Sequence, residues 1–184
     1  MIGIDEVGRG CWAGPLLVVA ARQAAALPDG LADSKVLKRG QREALIAGIQ
    51  ASCDLGEGWV EPAEIDQLGL TAAMQLAVKR ALEALHAQPD EAIIMDGNIN
   101  YCAEVFTNVT CVVKADAEYP IVSAASIYAK VSRDQKMATY AHQFPGYGFA
   151  EHVGYGTKVH LAALLQLGIT PLHRRSYKPI QAFV

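Results

Sequence analysis

The sequence predicts an α/β domain built on a central mixed five-stranded sheet flanked by helices. Three observations carry that prediction. Short apolar, partly β-branched segments alternate with longer segments of helical period. Glycine and proline punctuate the boundaries between them. The 184 residues are 52% apolar and 19% charged, too apolar for disorder and long enough to bury a core. The expected organisation is one domain over residues 1–184, with a short helical tail from about residue 156.

The first strand is Met1–Val7, ended by Gly8-Arg9-Gly10. Gly14-Pro15 makes a turn into a second strand, Leu16–Ala21. Lys38–Ser52 has a helical pattern, with Leu45, Ile46 and Ile49 on one side. Trp59-Val60 belongs to a third strand. Glu61–Ala87 reads as one helix, with Ala73, Leu76, Ala77, Val78, Ala81, Leu82 and Leu85 on its apolar side, and Pro89 ends it. Glu91–Met95 is a fourth strand that runs into Asp96-Gly97, and Val109–Val113 a fifth that runs toward Lys114 and Asp116. A helix of about 20 residues follows Pro120 and reaches Ala141. Thr157–Leu167 is the last helix, closed by Gly168.

The formal charge is −3, which excludes a protein that grips nucleic acid by a uniform basic coat. The charge is unevenly placed. Residues 1–113 carry 8 basic and 15 acidic side chains, and residues 114–184 carry 8 and 4. Cys11, Cys53, Cys102 and Cys111 form no C-x-x-C pair, so zinc spacing is absent and reduced thiols in a cytoplasmic protein are expected. The longest apolar run, Cys11–Ala21, is too short to span a bilayer, and no secretory signal opens the chain.

Asp5-Glu6, Asp96 and Asp116 all fall at the ends of expected strands. One such Asp usually caps a turn. Three sites in one small sheet point instead to convergence outside the carboxyl ends of neighbouring strands. Two like charges 4 Å apart repel by about 4 kcal/mol at an effective dielectric near 20. Such a cluster therefore protonates or binds cations, and an all-oxygen set suits Mg²⁺ or Mn²⁺. Two such ions are a standard device for in-line displacement at phosphorus. Adjacent strand residues point to opposite faces, so Asp5 and Glu6 cannot both reach a pocket from a regular strand. Either the strand bends toward Gly8, or Glu6 acts through its backbone carbonyl or through water; Asp5 is the expected central ligand.

Other motifs mislead. Gly8-Arg9-Gly10-Cys11-Trp12-Ala13 imitates a dinucleotide fingerprint, but Gly14-Pro15 and an apolar run follow where a helix is needed. Ser126 and Lys130 lack the S-x-x-K spacing of a hydrolase dyad. Gly154-Tyr155-Gly156-Thr157-Lys158 is not a P-loop, though a glycine loop opening a helix favours phosphate. Four of the five histidines follow residue 140 without metalloprotease spacing, so surface or supporting roles are expected.

Gly3-Ile4-Asp5-Glu6-Val7-Gly8-Arg9-Gly10 resembles the opening motif of the type 2 ribonuclease H family, specifically bacterial ribonuclease HII. The resemblance continues through Asp33-Ser34-Lys35, Met95-Asp96-Gly97, Lys114-Ala115-Asp116, Ser123 to Ile127, Ala129-Lys130-Val131, Arg133-Asp134, Gly154 to Lys158 and Pro171 to Ser176. It implies a ribonuclease H-like fold and a metal-dependent endonuclease that cuts RNA in RNA–DNA hybrids and at single ribonucleotides in duplex DNA. Cleavage 5′ of the ribonucleotide, leaving 3′-hydroxyl and 5′-phosphate ends, is implied with it. So are two divalent ions held by Asp5, Glu6, Asp96 and Asp116.

The Gly8-Arg9-Gly10 segment is implied to sense the 2′-hydroxyl, and Tyr155 to pack its ring on the sugar at the ribo–deoxy junction. Ser34, Lys35, Ser126 and Lys130 are candidate phosphate contacts, which position a duplex without reading sequence. Arg133-Asp134 is expected to form an internal ion pair that orients its helix. His173, Arg174 and Arg175 either extend the binding surface or dock the C-terminal segment. Gln181-Ala182-Phe183-Val184 is not a full sliding-clamp box, so no clamp partner is expected, and the protein is expected to act as a monomer.

Overall fold

The computed structural model describes residues 1–32, Ser34 and residues 36–184; Asp33 and Lys35, one a part of the resemblance and the other an expected phosphate contact, lie outside the described residues. A five-stranded mixed sheet forms the centre. Its strands are β1 (Ile2–Val7), β2 (Leu16–Gln23), β3 (Cys53–Val60), β4 (Ile93–Asp96) and β5 (Val109–Val112), in the spatial order β3-β2-β1-β4-β5. β1, β2 and β3 pair antiparallel, whereas β1–β4 and β4–β5 are parallel. The carboxyl ends of β1, β4 and β5 therefore point the same way, which is the edge where the acidic residues stand. The ribonuclease H-like, sheet-centred α/β architecture expected from the sequence is the one observed.

Strand alternation divides the core. Ile2, Ile4, Leu16, Val18 and Ala20 pack on one side with α3 (Leu70–Ala84), through Ala73, Met74, Ala77, Val78, Ala81 and Leu82. Leu17, Val19 and Ala21 pack on the other with α5 (Pro120–Gln143) and Ile49 of α1 (Arg39–Ser52). α5 lies close because Gly3 has no side chain: a Cβ there would stand 2.7 Å from the Ile121 carbonyl carbon. That approach brings Ser126, two turns into α5, up to the end of β1. A third cluster gathers Ala13, Met137, Tyr147, Phe149, Val153, Ala163 and Leu172 around α7 (Lys158–Leu167).

Three sequence expectations are corrected. The single helix Glu61–Ala87 is two, α2 (Pro62–Leu68) and α3, separated by Gly69 at φ +75°. β3 begins at Cys53, well before Trp59. Its glycines conceal it, because Gly56 and Gly58 are the floor on which α3 rests: a Cβ at either would meet the Ala81 or Ala77 carbonyl oxygen at 2.1 or 1.8 Å. Asp116 does not end a strand. It sits in α4 (Ala115–Glu118), which follows β5 after Lys114 in the left-handed conformation. The short α6 (Phe149–His152) and α8 (Lys178–Gln181) complete the fold. Among the described residues no helix is long and apolar enough to cross a membrane.

Candidate active-site cleft

An open cleft of about 410 Å³ lies beyond the carboxyl ends of β1 and β4. Asp5, Glu6 and Asp96 line it together with Gly8, Arg9, Gly10, Ser34, Arg42, Ser126, Lys130 and Tyr155. The sequence-expected residues that the structure describes thus converge there, with one exception. Asp116 is buried behind the cleft and does not line it.

The conflict between Asp5 and Glu6 is resolved without a bend. β1 stays paired with β2 through Glu6↔Val18 and Val7↔Leu17. Alternation aims Asp5 to the α5 side and Glu6 to the α3 side, and the cleft straddles the end of the strand so that both line it. The β1–β4 ladder stops at Ile4↔Met95, so Asp5 and Asp96 follow the last paired residues of adjacent strands.

Asp5 is 7% exposed, and burial pushes its carboxyl up to about 8, with the charges of Glu6 and Asp96 adding to the rise. A hydrogen bond from Ser126 and the Glu6 backbone N–H at 2.7 Å oppose it. Ser126 and Ser34 share a hydroxyl contact of 2.9 Å. Either hydroxyl of the pair can donate to the other, and the pair stands beside the Asp5 carboxyl. Asp96 Oδ1 accepts the Ala115 N–H at 2.8 Å. Glu6 stands 3.8 Å from the Arg9 guanidinium, which also donates to the Tyr101 hydroxyl at 3.1 Å.

Lys130 lines the cleft already paired with Asp134 at 2.8 Å. The expected Arg133–Asp134 pair is therefore not formed. Arg133 is fully buried and instead donates to the carbonyls of Pro15 at 2.8 Å, Val153 at 2.8 Å and Ala13 at 3.2 Å. Its planar fork satisfies three acceptors that a carboxylate would not supply. Arg174, also fully buried, donates to the carbonyls of Gly14 at 2.9 Å and Arg9 at 3.0 Å. Arg174 and His173 thus dock the C-terminal segment, and they do so onto the Gly8–Pro15 loop. Three of the late histidines, His152, His160 and His173, are buried rather than on the surface.

Gly8 and Gly10 differ in kind. Gly8 has φ +88°, and a Cβ there would stand 2.3 Å from Arg133 Nε. Around Gly10 a Cβ would meet nothing within 4 Å. Sequence reasoning missed Arg42, which lines the cleft from the first turn of α1 and donates to the Ser34 carbonyl at 2.9 Å. Its only signal was a cation shortly after Asp33-Ser34-Lys35.

The donor set at the cleft is all oxygen and all acidic, which fits a hard divalent cation. Among the described residues, no three His, Cys, Asp or Glu side chains stand close enough together to hold one without movement.

Comparison with known proteins agrees with this geometry. The ribonuclease HII family model matches residues 2–180. Ribonuclease HII of Coxiella burnetii is 44% identical over 183 residues, covering 97% of this chain and 88% of that protein. Among solved structures, ribonuclease HII in the PCNA:RNase HII complex from Archaeoglobus fulgidus superposes with a TM-score of 0.79 at 26% identity, covering 96% of this chain and 94% of that one. Ribonuclease H2 from Pyrococcus horikoshii gives 0.75 at 27%, covering 99% and 95%. A match of this extent and identity makes the chain a member of the ribonuclease HII family, and so a ribonuclease H endonuclease.

Proposed function

We propose that this cleft cuts RNA within RNA–DNA hybrids and at single ribonucleotides embedded in duplex DNA, on the 5′ side of the ribonucleotide, leaving 3′-hydroxyl and 5′-phosphate ends. One observation carries the reading: a buried carboxylate, Asp5, flanked by Glu6 and Asp96 in a cleft that also exposes the Gly8–Gly10 backbone and Tyr155. A binding module has no use for an acidic cluster facing phosphate.

Asp5, Glu6 and Asp96 would hold two divalent ions, Mg²⁺ or Mn²⁺, with Asp5 as the central ligand. Asp116 would join them from α4, whose start is tied to Asp96 through Ala115. When bound, such ions supply Lewis-acid stabilisation of the attacking and leaving oxygens of an in-line displacement. The Ser34–Ser126 hydroxyl pair, beside Asp5, orients its carboxyl group. The backbone from Gly8 to Gly10 approaches the ribose and recognises its 2′-hydroxyl, the group that separates RNA from DNA. The Tyr155 ring packs on the sugar at the junction; burial pushes its phenol up, so it remains a donor at neutral pH. Ser34, Lys35, Ser126 and Lys130 contact phosphates, and Arg42 joins them on position alone. The protein acts as a monomer, through one catalytic domain, in the cytoplasm, where the cut begins the removal of ribonucleotides from DNA.

The test is direct. The protein and metal are incubated with a DNA duplex carrying one ribonucleotide, beside all-DNA and all-RNA duplexes, and the nick is mapped. A single nick 5′ of the ribonucleotide supports the reading. Cutting of all-DNA duplex, or a cut on the 3′ side, overturns it.

A further inference from the structure

Behind Tyr155 lies a chain of hydrogen bonds whose proton positions are fixed by its ends. His173 Nδ1 receives the Thr170 backbone N–H at 2.8 Å and faces the Thr170 hydroxyl at 3.0 Å. A ring nitrogen that accepts a backbone N–H carries no proton, so the proton of His173 is on Nε2. That atom stands 3.0 Å from His160 Nε2, which must then accept. The proton of His160 is accordingly on Nδ1, 2.9 Å from the Tyr155 carbonyl oxygen. No other arrangement works. A second proton on either ring sets two N–H groups against each other or against Thr170. Burial agrees, since it pushes both imidazoles down to about 4.

The chain ends on an otherwise constrained backbone. The Tyr155 carbonyl also accepts the Thr157 N–H at 2.9 Å, so both of its lone pairs are used. His152, stacked on His160 with ring centroids 4.5 Å apart, accepts the Gly154 N–H at 3.2 Å on Nδ1. On the outer side the Trp12 ring covers Gly156 so closely that a Cβ there would stand 2.1 Å from it. The Tyr155 side chain is left open, 43% exposed on the cleft wall.

We propose that His160 and His173 are positioning residues: a neutral two-imidazole relay that fixes the Tyr155 backbone and thereby aims its ring at the ribo–deoxy junction of the duplex. The proposal rests on the reading of Tyr155 as a substrate contact. It adds that the C-terminal segment sets junction specificity through two groups that never touch the nucleic acid.

The test is a double-mutant cycle on the full chain with metal, reading kcat/KM on a duplex with one embedded ribonucleotide. His160→Phe keeps the ring volume and removes both relay bonds. It is expected to lower kcat/KM about tenfold beside Tyr155, and less than about twofold in a Tyr155→Ala background, because coupled residues are non-additive. The same loss in both backgrounds overturns the relay. No loss in Tyr155→Ala alone overturns the substrate role of Tyr155, and the relay's purpose with it. Should His160→Phe fail to fold, His173→Asn replaces it in the same cycle; Asn can still accept the Thr170 N–H but does not extend to His160. Long-range ¹H–¹⁵N correlation spectra at pH 7 give an activity-free readout. The relay requires His160 as the Nδ1–H tautomer and His173 as the Nε2–H tautomer; the reverse assignment, or an imidazolium, overturns it.

Discussion

Asp96, the last residue of β4, accepts a hydrogen bond at 2.8 Å from the backbone N–H of Ala115, the residue immediately before Asp116. The bond ties the turn after β5 to the acidic edge of the sheet, so Asp96 has a structural duty besides its charge. An Asn amide oxygen can accept the same N–H. Asp96→Asn should therefore fold normally and lose cleavage by about 100-fold or more, the scale of removing a charged group aimed at a reacting centre. Asp96→Ala should lose cleavage and also about 1 kcal/mol of stability, the typical net contribution of one hydrogen bond. Urea denaturation beside the nicking assay separates the two effects.

Asp5 should make the metal-free protein less stable as pH rises. Its carboxyl titrates near 8 when folded, against a usual value of 3.8. Between those values the folded chain holds a proton that the unfolded chain releases, so stability falls through the window by up to about 1.4 kcal/mol per pH unit. Asp5→Asn removes the penalty. In chelator its melting temperature should exceed that of the wild type at pH 8 and match it near pH 4, while cleavage is lost. Mg²⁺ or Mn²⁺ should raise the wild-type Tm and leave that of Asp5→Asn nearly unchanged, since ligands stabilise only what they bind.

The two glycines flanking Arg9 should separate under substitution. Gly8→Ala forces a side chain onto Arg133 at a positive φ, and should destabilise by about 1–3 kcal/mol as strained positions do. Gly10→Ala meets open space and should leave stability within about 0.5 kcal/mol. If the backbone there approaches the ribose, Gly10→Ala nevertheless raises KM for the single-ribonucleotide duplex. An unchanged KM sinks the sugar contact.

Acid should unfold the histidine cluster. His160 and His173 titrate near 4 when folded, against 6.5 for a free imidazole. The unfolded chain therefore binds more protons between pH 6.5 and 4, and stability present above 6.5 is lost as pH falls through that range. The urea midpoint should drop more steeply over this interval in the wild type than in a His160→Phe, His173→Phe double variant.

Much of this was legible because its causes are local. The apolar runs Leu16–Ala21 and Val109–Val113 announce strands by their own chemistry, and Asp5, Glu6 and Asp96 mark the strand ends that the cleft uses. What was hidden depends on partners far along the chain. β3 was obscured because Gly56 and Gly58 serve a helix some twenty residues later. The helix break at Gly69 was hidden by apolar periodicity on both sides of it. Arg133 looked like a partner for its neighbour Asp134, yet its acceptors are carbonyls near residues 13–15 and 153. The histidine cluster has no spacing rule at all; only the folded chain brings residues 152, 160 and 173 together.

Arg174 holds the Arg9 and Gly14 carbonyls across 165 and 160 positions of sequence. The consequence concerns the order in which the molecule is made. Strands β1 to β5 and helix α5 are all synthesised before residue 144, and the sheet with its carboxylates needs nothing further to pair. Arg133 can already hold the Pro15 and Ala13 carbonyls at that stage, but the Arg9 and Gly14 carbonyls of the same loop stay untied until the segment around residue 174 has left the ribosome. A nascent chain thus carries its acids long before it can present a substrate to them.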